Sequence, residues 1–470
     1  MTLWKLVVPF AAVLGGAMAL AAPVTTPFRS AASCAVDERD GRTDPGPLAP
    51  FVAELLAEAV DLRDAPARLA RAQELAARDD VSLEQWLAAA RAFAPLAGPA
   101  REPGPYTERA ELWVEGRAES TELHVVVPPD DGRTGPRPLL VALHGAGGNG
   151  PQEAATWRGV AAELGALLLA PTEAGDNVGY ASSTRESAAV LAAIRWARRH
   201  HDVDENRIWI TGFSRGGHLC WDVALRHPGL FAAAAPMAGG PRLTLENGAN
   251  SLRLVENLDG LPTLALAGAL DDPALVWTLG RIGVLLERFE VSGAEVRLLD
   301  GTGHAFAPLA HADWADWFAA RVRDPWPTRV VRLSARAGES RRAWLEIMAF
   351  GKDVEETFQP RITVRKGEEL SDAELRTKID ELARERTARV VAERGDDGVV
   401  RIESENATEA RLLVPAEWID EKGRVAVKSG SSTKRLRTEP DVAVLLADFV
   451  EHFDRTRLPV AEVVVKLKSR

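Results

Sequence analysis

The spacing of apolar and polar positions changes character several times along the chain. An uncharged run covers residues 6–22, followed at 25–50 by a stretch rich in Pro, Gly, Ser and Thr with no periodicity. Next, Phe51, Leu55, Leu56, Val60 and Leu62, then Leu69, Leu75, Leu83, Trp86 and Leu87, recur at roughly helical spacing with charged residues between them. This predicts two or three amphipathic helices within 51–98. A short helical segment cannot bury its apolar stripe alone, so these helices are expected to pack on the next domain. Residues 99–105 form a second breaker-dense stretch, read as a linker.

From about residue 108, short apolar runs alternate with longer helical ones, the sequence form of a doubly wound, mostly parallel sheet. Strands are expected at 123–127, 138–143, 166–170, 207–211, 232–237, 263–267 and 295–299, and helices at 187–199, 215–226, 273–289 and, rich in Trp, 309–322. Beyond 327 the alternation breaks. Strand-like runs at 329–333, 344–349, 387–392, 399–403, 410–414, 424–427 and 460–466 surround two helices. One of these opens with a capping box, Ser371 and Glu374, and the other spans about 440–453. The expected organisation is therefore a leader at 1–22, a linker at 23–50, a helical segment at 51–98, an α/β domain at 108–325 and a separate C-terminal β-rich (α+β) domain at 327–470.

Bulk properties narrow the function classes. At roughly 150 residues per domain, 470 residues hold two or three domains. With 46% hydrophobic and 27% charged residues, the chain is neither disordered nor a multispan membrane protein. A formal charge of −11 argues against nucleic acid as a partner, because that binding relies on Lys and Arg displacing counterions. The 6–22 run ends in small residues that offer Ala-x-Ala at Ala17–Ala19 and Ala19–Ala21, the pattern of a cleaved secretory signal. The alternative is a retained membrane anchor, since the run approaches the ~17 to 25 residues that span a bilayer. An exported, periplasmic or extracellular protein is expected. Cys34 is set apart from the apolar run by Pro27 and Arg29, which disfavours lipidation, and Cys220 falls on a predicted helix as a small apolar residue. No disulfide framework follows.

The candidate chemistry centres on Gly212-Phe213-Ser214-Arg215-Gly216, directly after the strand-like Ile208-Trp209-Ile210-Thr211 and before a helix. This fits a nucleophile elbow, where a strained strand-to-helix turn exposes a serine hydroxyl and glycines permit the close backbone approach. A serine at neutral pH needs a base and an orienting acid, which in such a fold follow in the order acid, then histidine. Gly303-His304 lies just past the last predicted strand, whereas His311 falls on the Trp-rich helix and His452 in the C-terminal segment. Asp271 and Asp272 lie in the turn after the 263–267 strand. Asp272 precedes Pro273 and suits a helix cap, which favours Asp271 as the acid and leaves Asp272 as the alternative. Two oxyanion donors are expected from backbone N–H groups: Arg215, next to the nucleophile, and Ala146, in the His144-Gly145-Ala146-Gly147-Gly148 loop. His144 is expected to brace that loop.

Taken together, His144-Gly145-Ala146-Gly147-Gly148, Gly212 to Gly217, Gly268-Ala269-Leu270-Asp271 and Gly303-His304 resemble an α/β-hydrolase across 108–322. The region is similar to secreted feruloyl and acetylxylan esterases, polyhydroxybutyrate depolymerases and dienelactone-hydrolase-like proteins. It departs from the first and third groups in having Ala146 and Gly147 where they often carry Cys or Gln. The resemblance implies an acyl-enzyme mechanism on Ser214, His304 and Asp271, acting on an ester-bearing small molecule or an acylated polymer. Too few residues separate the 232–237 strand from the one starting at 263 for a large helical lid, so an open site is expected. A prolyl-oligopeptidase-like peptidase is the first alternative, although the segment before 108 is too short for a propeller. The second is a noncatalytic envelope protein whose C-terminal domain binds polysaccharide or protein, with Trp344 and Trp418 as the aromatics to consider. The chain has no His-Glu-x-x-His, no Cys-x-x-Cys and no phosphate-binding glycine motif, so no metal or cofactor is expected.

Overall fold

The computed structural model describes residues 4–6, 50–62, 64–96, 102–114, 116–172, 180, 183–241, 251–306, 311–357, 362–364 and 369–468. The linker at 23–50, except Pro50, and Cys34 lie outside these residues. So does the leader, except for Trp4–Leu6, which pairs antiparallel with Ile362–Val364.

Eight strands form the principal sheet: β1 (Gly104–Val114), β2 (Arg117–Val127), β3 (Arg137–Leu143), β4 (Leu167–Thr172), β5 (Val203–Phe213), β6 (Ala233–Met237), β7 (Thr263–Gly268) and β8 (Ala294–Leu299). Their spatial order is β1-β2-β4-β3-β5-β6-β7-β8. The β1–β2 and β2–β4 pairs are antiparallel and the rest parallel. The order reverses between β3 and β5, and open α/β sheets bind ligands beyond the strand carboxyl ends at such a switch point. Strand alternation builds a core on each face. Leu139, Val141 and Leu143 of β3 face one side with Ile208 and Ile210, while Leu140, Ala142 and Trp209 face the other.

Helices cover both faces. On the first lie α5 (Thr184–His200), α6 (Arg215–Arg226) and α7 (Pro273–Arg288). On the second are α4 (Gly150–Leu164), through Trp157 and Val160, and α8 (His311–Ala319), through Trp314, Trp317 and Phe318. The sheet begins at Gly104, inside the segment read as a linker, and α4 occupies a stretch where no helix was expected.

The C-terminal part contains a five-stranded sheet, in the order β9 (Arg329–Ser334), β12 (Ala388–Arg394), β13 (Val400–Glu405), β15 (Arg424–Ser429), β16 (Ser432–Arg437). A four-stranded sheet joins β10 (Arg341–Arg342), β11 (Leu345–Phe350), β14 (Ala407–Val414) and β17 (Ala461–Lys466). Trp344, Leu345, Val390, Leu412 and Val463 lie in the core these strands share. Trp344 is fully buried, with Nε1 donating to Pro327 O at 2.7 Å, and Trp418 packs edge-on against it. Neither ring forms an open platform. Helix α9 (Asp372–Glu385) starts at the Ser371–Glu374 capping box.

The seam to the principal sheet is apolar and polar at once. Val331 and Leu333 of β9 join the core of the first face. Buried Asn257 donates from Nδ2 to Leu225 O and Leu333 O and accepts from Leu333 N. The N-terminal helices α1 (Pro50–Asp61), α2 (Ala65–Ala76) and α3 (Leu83–Arg91) bury their stripe chiefly against α10 (Val442–His452), where Val52, Leu56, Leu75 and Trp86 meet Leu446, Phe449 and Val450. Their link to the principal sheet is polar, through Arg195 to Val60 O and Arg199 to the Asp61 carboxylate. The stripe therefore closes on the far end of the chain rather than on the neighbouring α/β unit.

Candidate active site

Ser214 lies between β5 and α6 with φ 55° and ψ −117°, a backbone region that side-chain-bearing residues rarely occupy. The turn is held by close packing. A Cβ on Gly216 would lie 2.0 Å from Leu143 O, and one on Gly212 would lie 2.4 Å from Gly216 O. Ser214 N donates to Met237 O at 2.9 Å, tying the turn to β6. The Gly-x-Ser-x-Gly pattern thus reflects two backbones that touch.

The loop after β7 and the loop after β8 are held to each other in the same way. Leu270 N donates to Thr302 O at 2.8 Å, and a Cβ on Gly268 would meet that oxygen at 2.1 Å. This brings together side chains far apart in sequence. His304 Nε2 is 2.9 Å from Ser214 Oγ, and Nδ1 is 3.0 Å from each Asp271 carboxylate oxygen. The Asp271 side chain is 2% exposed and that of His304 49%. Asp271 Oδ1 also accepts from Asp272 N at 2.6 Å. Asp272 caps α7 instead, accepting from Ala274 N at 2.7 Å. The two neighbouring aspartates therefore occupy different environments, one facing the imidazole and one the helix.

Gly145 lies against the elbow, since its Cβ would stand 3.6 Å from Ser214 Cβ, and the first turn of α6 packs on Leu143 O and His144 O. The backbone of the Ala146 loop and that of Arg215 are thus neighbours. Leading N–H groups of a helix have no intrahelical acceptor, which makes such a terminus a ready site for negative charge. His144 is buried, with Nδ1 2.8 Å from Gly145 O, and burial followed by the charge of Arg215 holds it below the usual histidine range.

Several residues at the site were not singled out from sequence. The Arg215 side chain turns away to a buried ion pair with Glu186 at 2.9 Å. Glu186 also completes the Ser183 capping box of α5, and that box was legible as Ser183-x-x-Glu186. Phe213 lies 5.3 Å from the His304 ring, and Phe306 lies 6.2 Å from Phe213 and 5.7 Å from Trp157. Leu270, next to the acid, is 71% exposed. Behind Trp157, Glu153 accepts its Nε1 at 3.0 Å, and burial pushes the Glu153 carboxyl up to about 7. His311 begins α8 beside Gly159, away from the elbow, and Cys220 is fully buried within α6, where burial pushes the thiol up.

No protein-family model matches the chain. It is 29% identical over 155 residues to an acetylxylan esterase of Coprinopsis cinerea, covering 30% of this chain and 41% of that protein. It is 30% identical over 122 residues to a probable feruloyl esterase C of Aspergillus flavus, covering 24% and 44%. With the poly(3-hydroxyalkanoate) depolymerase C of Paucimonas lemoignei it shares 29% identity over 116 residues, covering 22% and 28%. The chain spans less than half the length of each of these relatives. Among solved structures, a putative dienelactone hydrolase from Klebsiella pneumoniae is 24% identical and aligns with 46% of this chain and 99% of its own, at a TM-score of 0.36.

Proposed function

The chain belongs to the α/β-hydrolase superfamily, and from that premise we propose that it is an exported serine hydrolase that cleaves carboxylic esters through an acyl-enzyme. The observation that carries this reading is the continuous hydrogen-bonded line from Ser214 Oγ through His304 to the buried Asp271. Asp271 accepts from Nδ1–H and so holds the imidazole with Nε2 free to accept. As Oγ bonds to the acyl carbon, its proton passes to Nε2, and the carbonyl oxygen takes up negative charge beside the backbone N–H groups of Arg215 and Ala146. His304 then returns the proton to the departing alcohol. A water deprotonated by the same nitrogen attacks the ester carbon, releasing the acid and restoring Ser214. No metal or cofactor enters these steps.

The half-exposed His304 and the exposed Leu270 suit a substrate that approaches from open solvent, such as a small ester or an acylated polymer. The named relatives act on substrates of that kind, which supports the same class here. Contact of the C-terminal part with an envelope polysaccharide belongs to this proposal only as an extension, since Trp344 is buried.

A fluorophosphonate probe tests the proposal. Wild type should be labelled and Ser214→Ala should not, and nitrophenyl esters should turn over faster than peptide anilides. Folded wild type that takes up no label would remove the hydrolase reading, while preferred anilide turnover would move it to a peptidase.

A further inference from the structure

At the far end of α6 from Ser214, about 18 Å away at 1.5 Å per residue, the seam with the C-terminal part holds a partly enclosed cleft. Arg226, Arg253, Arg332 and Arg336 line it, with Glu339 and Glu356 as its carboxylates among the described residues. Asp222 lies behind Arg226, 3.0 Å from Nε, and Glu339 and Glu356 pair with Arg226 and Arg336. The guanidinium groups of the wall outnumber these three carboxylates by one, and among the described residues Arg332 makes no ion pair with a carboxylate, its two acceptors being backbone carbonyls.

Arg332 is 1% exposed. Its Nη2 donates to Arg226 O at 2.9 Å and to Glu339 O, but Nε and Nη1 are buried with no hydrogen-bond partner among the described residues. A buried charged donor left unsatisfied costs several kcal/mol, so native structures normally provide it with an acceptor. Burial holds Arg332 down to about 9 and Arg253 down to about 10, and in both cases neighbouring arginines add to the effect. His227, one residue beyond Arg226, is held down to about 4 by burial and adds no charge at neutral pH.

We infer that this cleft is a binding site for a small tetrahedral oxyanion of the phosphate or sulfate class, held by Arg332, Arg253 and Arg336 at the seam. Guanidinium forks match the oxygen spacing of such anions, and a buried excess positive charge is neutralised by one. Because the cleft joins α6 to β9, the bound anion stabilises the docking of the C-terminal part without touching the catalytic serine.

The test is a melting series of the full chain at fixed pH and ionic strength, titrated with inorganic sulfate or inorganic phosphate, together with isothermal calorimetry. A ligand that binds only the folded state raises stability by RT ln(1 + [L]/Kd), so a saturable rise in Tm and one site per chain are expected. Ser214→Ala should show the same rise, which separates this site from the active site. Arg336→Gln, at the mouth of the cleft, should move the midpoint at least tenfold upward. If that variant does not fold, wild-type calorimetry decides by itself. A heat of binding with one site per chain supports the assignment. No saturable heat, or a midpoint unchanged in folded Arg336→Gln, overturns it.

Discussion

Around Ser214 the tight places are backbone against backbone: a Cβ on Gly216 would meet Leu143 O at 2.0 Å, and one on Gly268 would meet Thr302 O at 2.1 Å. In the C-terminal β-rich part, Gly338 and Gly430 face open space, and the demanding positions are buried charges. There Arg342 donates to Asn257 O and Val331 O, and Asp454 pairs with Arg323 at 2.8 Å. The first kind of constraint is steric and local, so it appears in sequence as glycine at fixed offsets. The second depends on partners distant in the chain. A substitution in the first region should therefore damage geometry, and one in the second should damage the balance of charge.

The sharpest test of the steric region is the pair of adjacent aspartates. Asp271→Asn should lower kcat/KM on a nitrophenyl ester by about 10³ to 10⁴, while Asp272→Ala should cost about 1 kcal/mol of stability as a lost helix cap and leave the rate nearly unchanged. Equal effects on the rate would mean that the carboxylates share the role. A smaller effect separates the two regions by stability. Gly216→Ala should cost roughly 3 kcal/mol through overpacking, and Gly430→Ala, at φ 65° in open space, about 1 kcal/mol. Similar urea midpoints for the two would break the comparison.

The smallest effect is a pH dependence of opposite sign in two places. Burial raises Glu153 to about 7, above its unfolded value, so its contribution is complete below about pH 4.5 and is lost as pH climbs through 7. Burial lowers His227 to about 4, so its contribution is present above about pH 6.5 and is lost as pH falls toward 4. Urea midpoints from pH 4.5 to 8 should therefore rise with pH in Glu153→Gln, where only the His227 contribution remains, and fall with pH in His227→Asn, where only that of Glu153 remains. Because the two contributions oppose each other between about pH 4.5 and 6.5, the wild-type curve stays nearly level there and the variants decide: a variant curve that simply parallels wild type removes the assignment of its residue.

The residues expected at the site were visible because their constraints are short in sequence: the elbow pentapeptide, the Asp-Asp-Pro turn and the Gly-His loop. The strands of the principal sheet were visible where both faces are buried, as at 138–143. Strand β1 was not, because it lies at the sheet edge and its first half alternates half-buried and exposed residues through Tyr106, Thr107, Glu108 and Arg109. Strand β16 reads Ser-Thr-Lys-Arg-Leu-Arg and is almost wholly exposed, so no apolar period marks it. Helix α4 opens on Asn149-Gly150-Pro151, which reads as a loop although Asn149 caps the helix and Pro151 suits its first turn. The Arg215–Glu186 pair and the Phe213–Phe306–Trp157 contacts depend on how the loops are brought together, and no local spacing encodes them.

The pairing of α1–α3 with α10 has a consequence for how the chain is made. Arg68 of α2 holds the carboxylate of Glu451, 383 residues downstream, and the apolar stripe beside it stays uncovered until α10 has been synthesised. Domains fold as units while synthesis proceeds from the amino end, yet this helical layer must wait for nearly the whole polypeptide. The sheet that carries Ser214 can complete its hydrogen bonding earlier, because β1 to β8 are contiguous. A nascent chain would therefore expose an ordered α/β unit preceded by an open, apolar helical segment, a state suited to holding by a chaperone. Closure by α10 would mark the end of that interval.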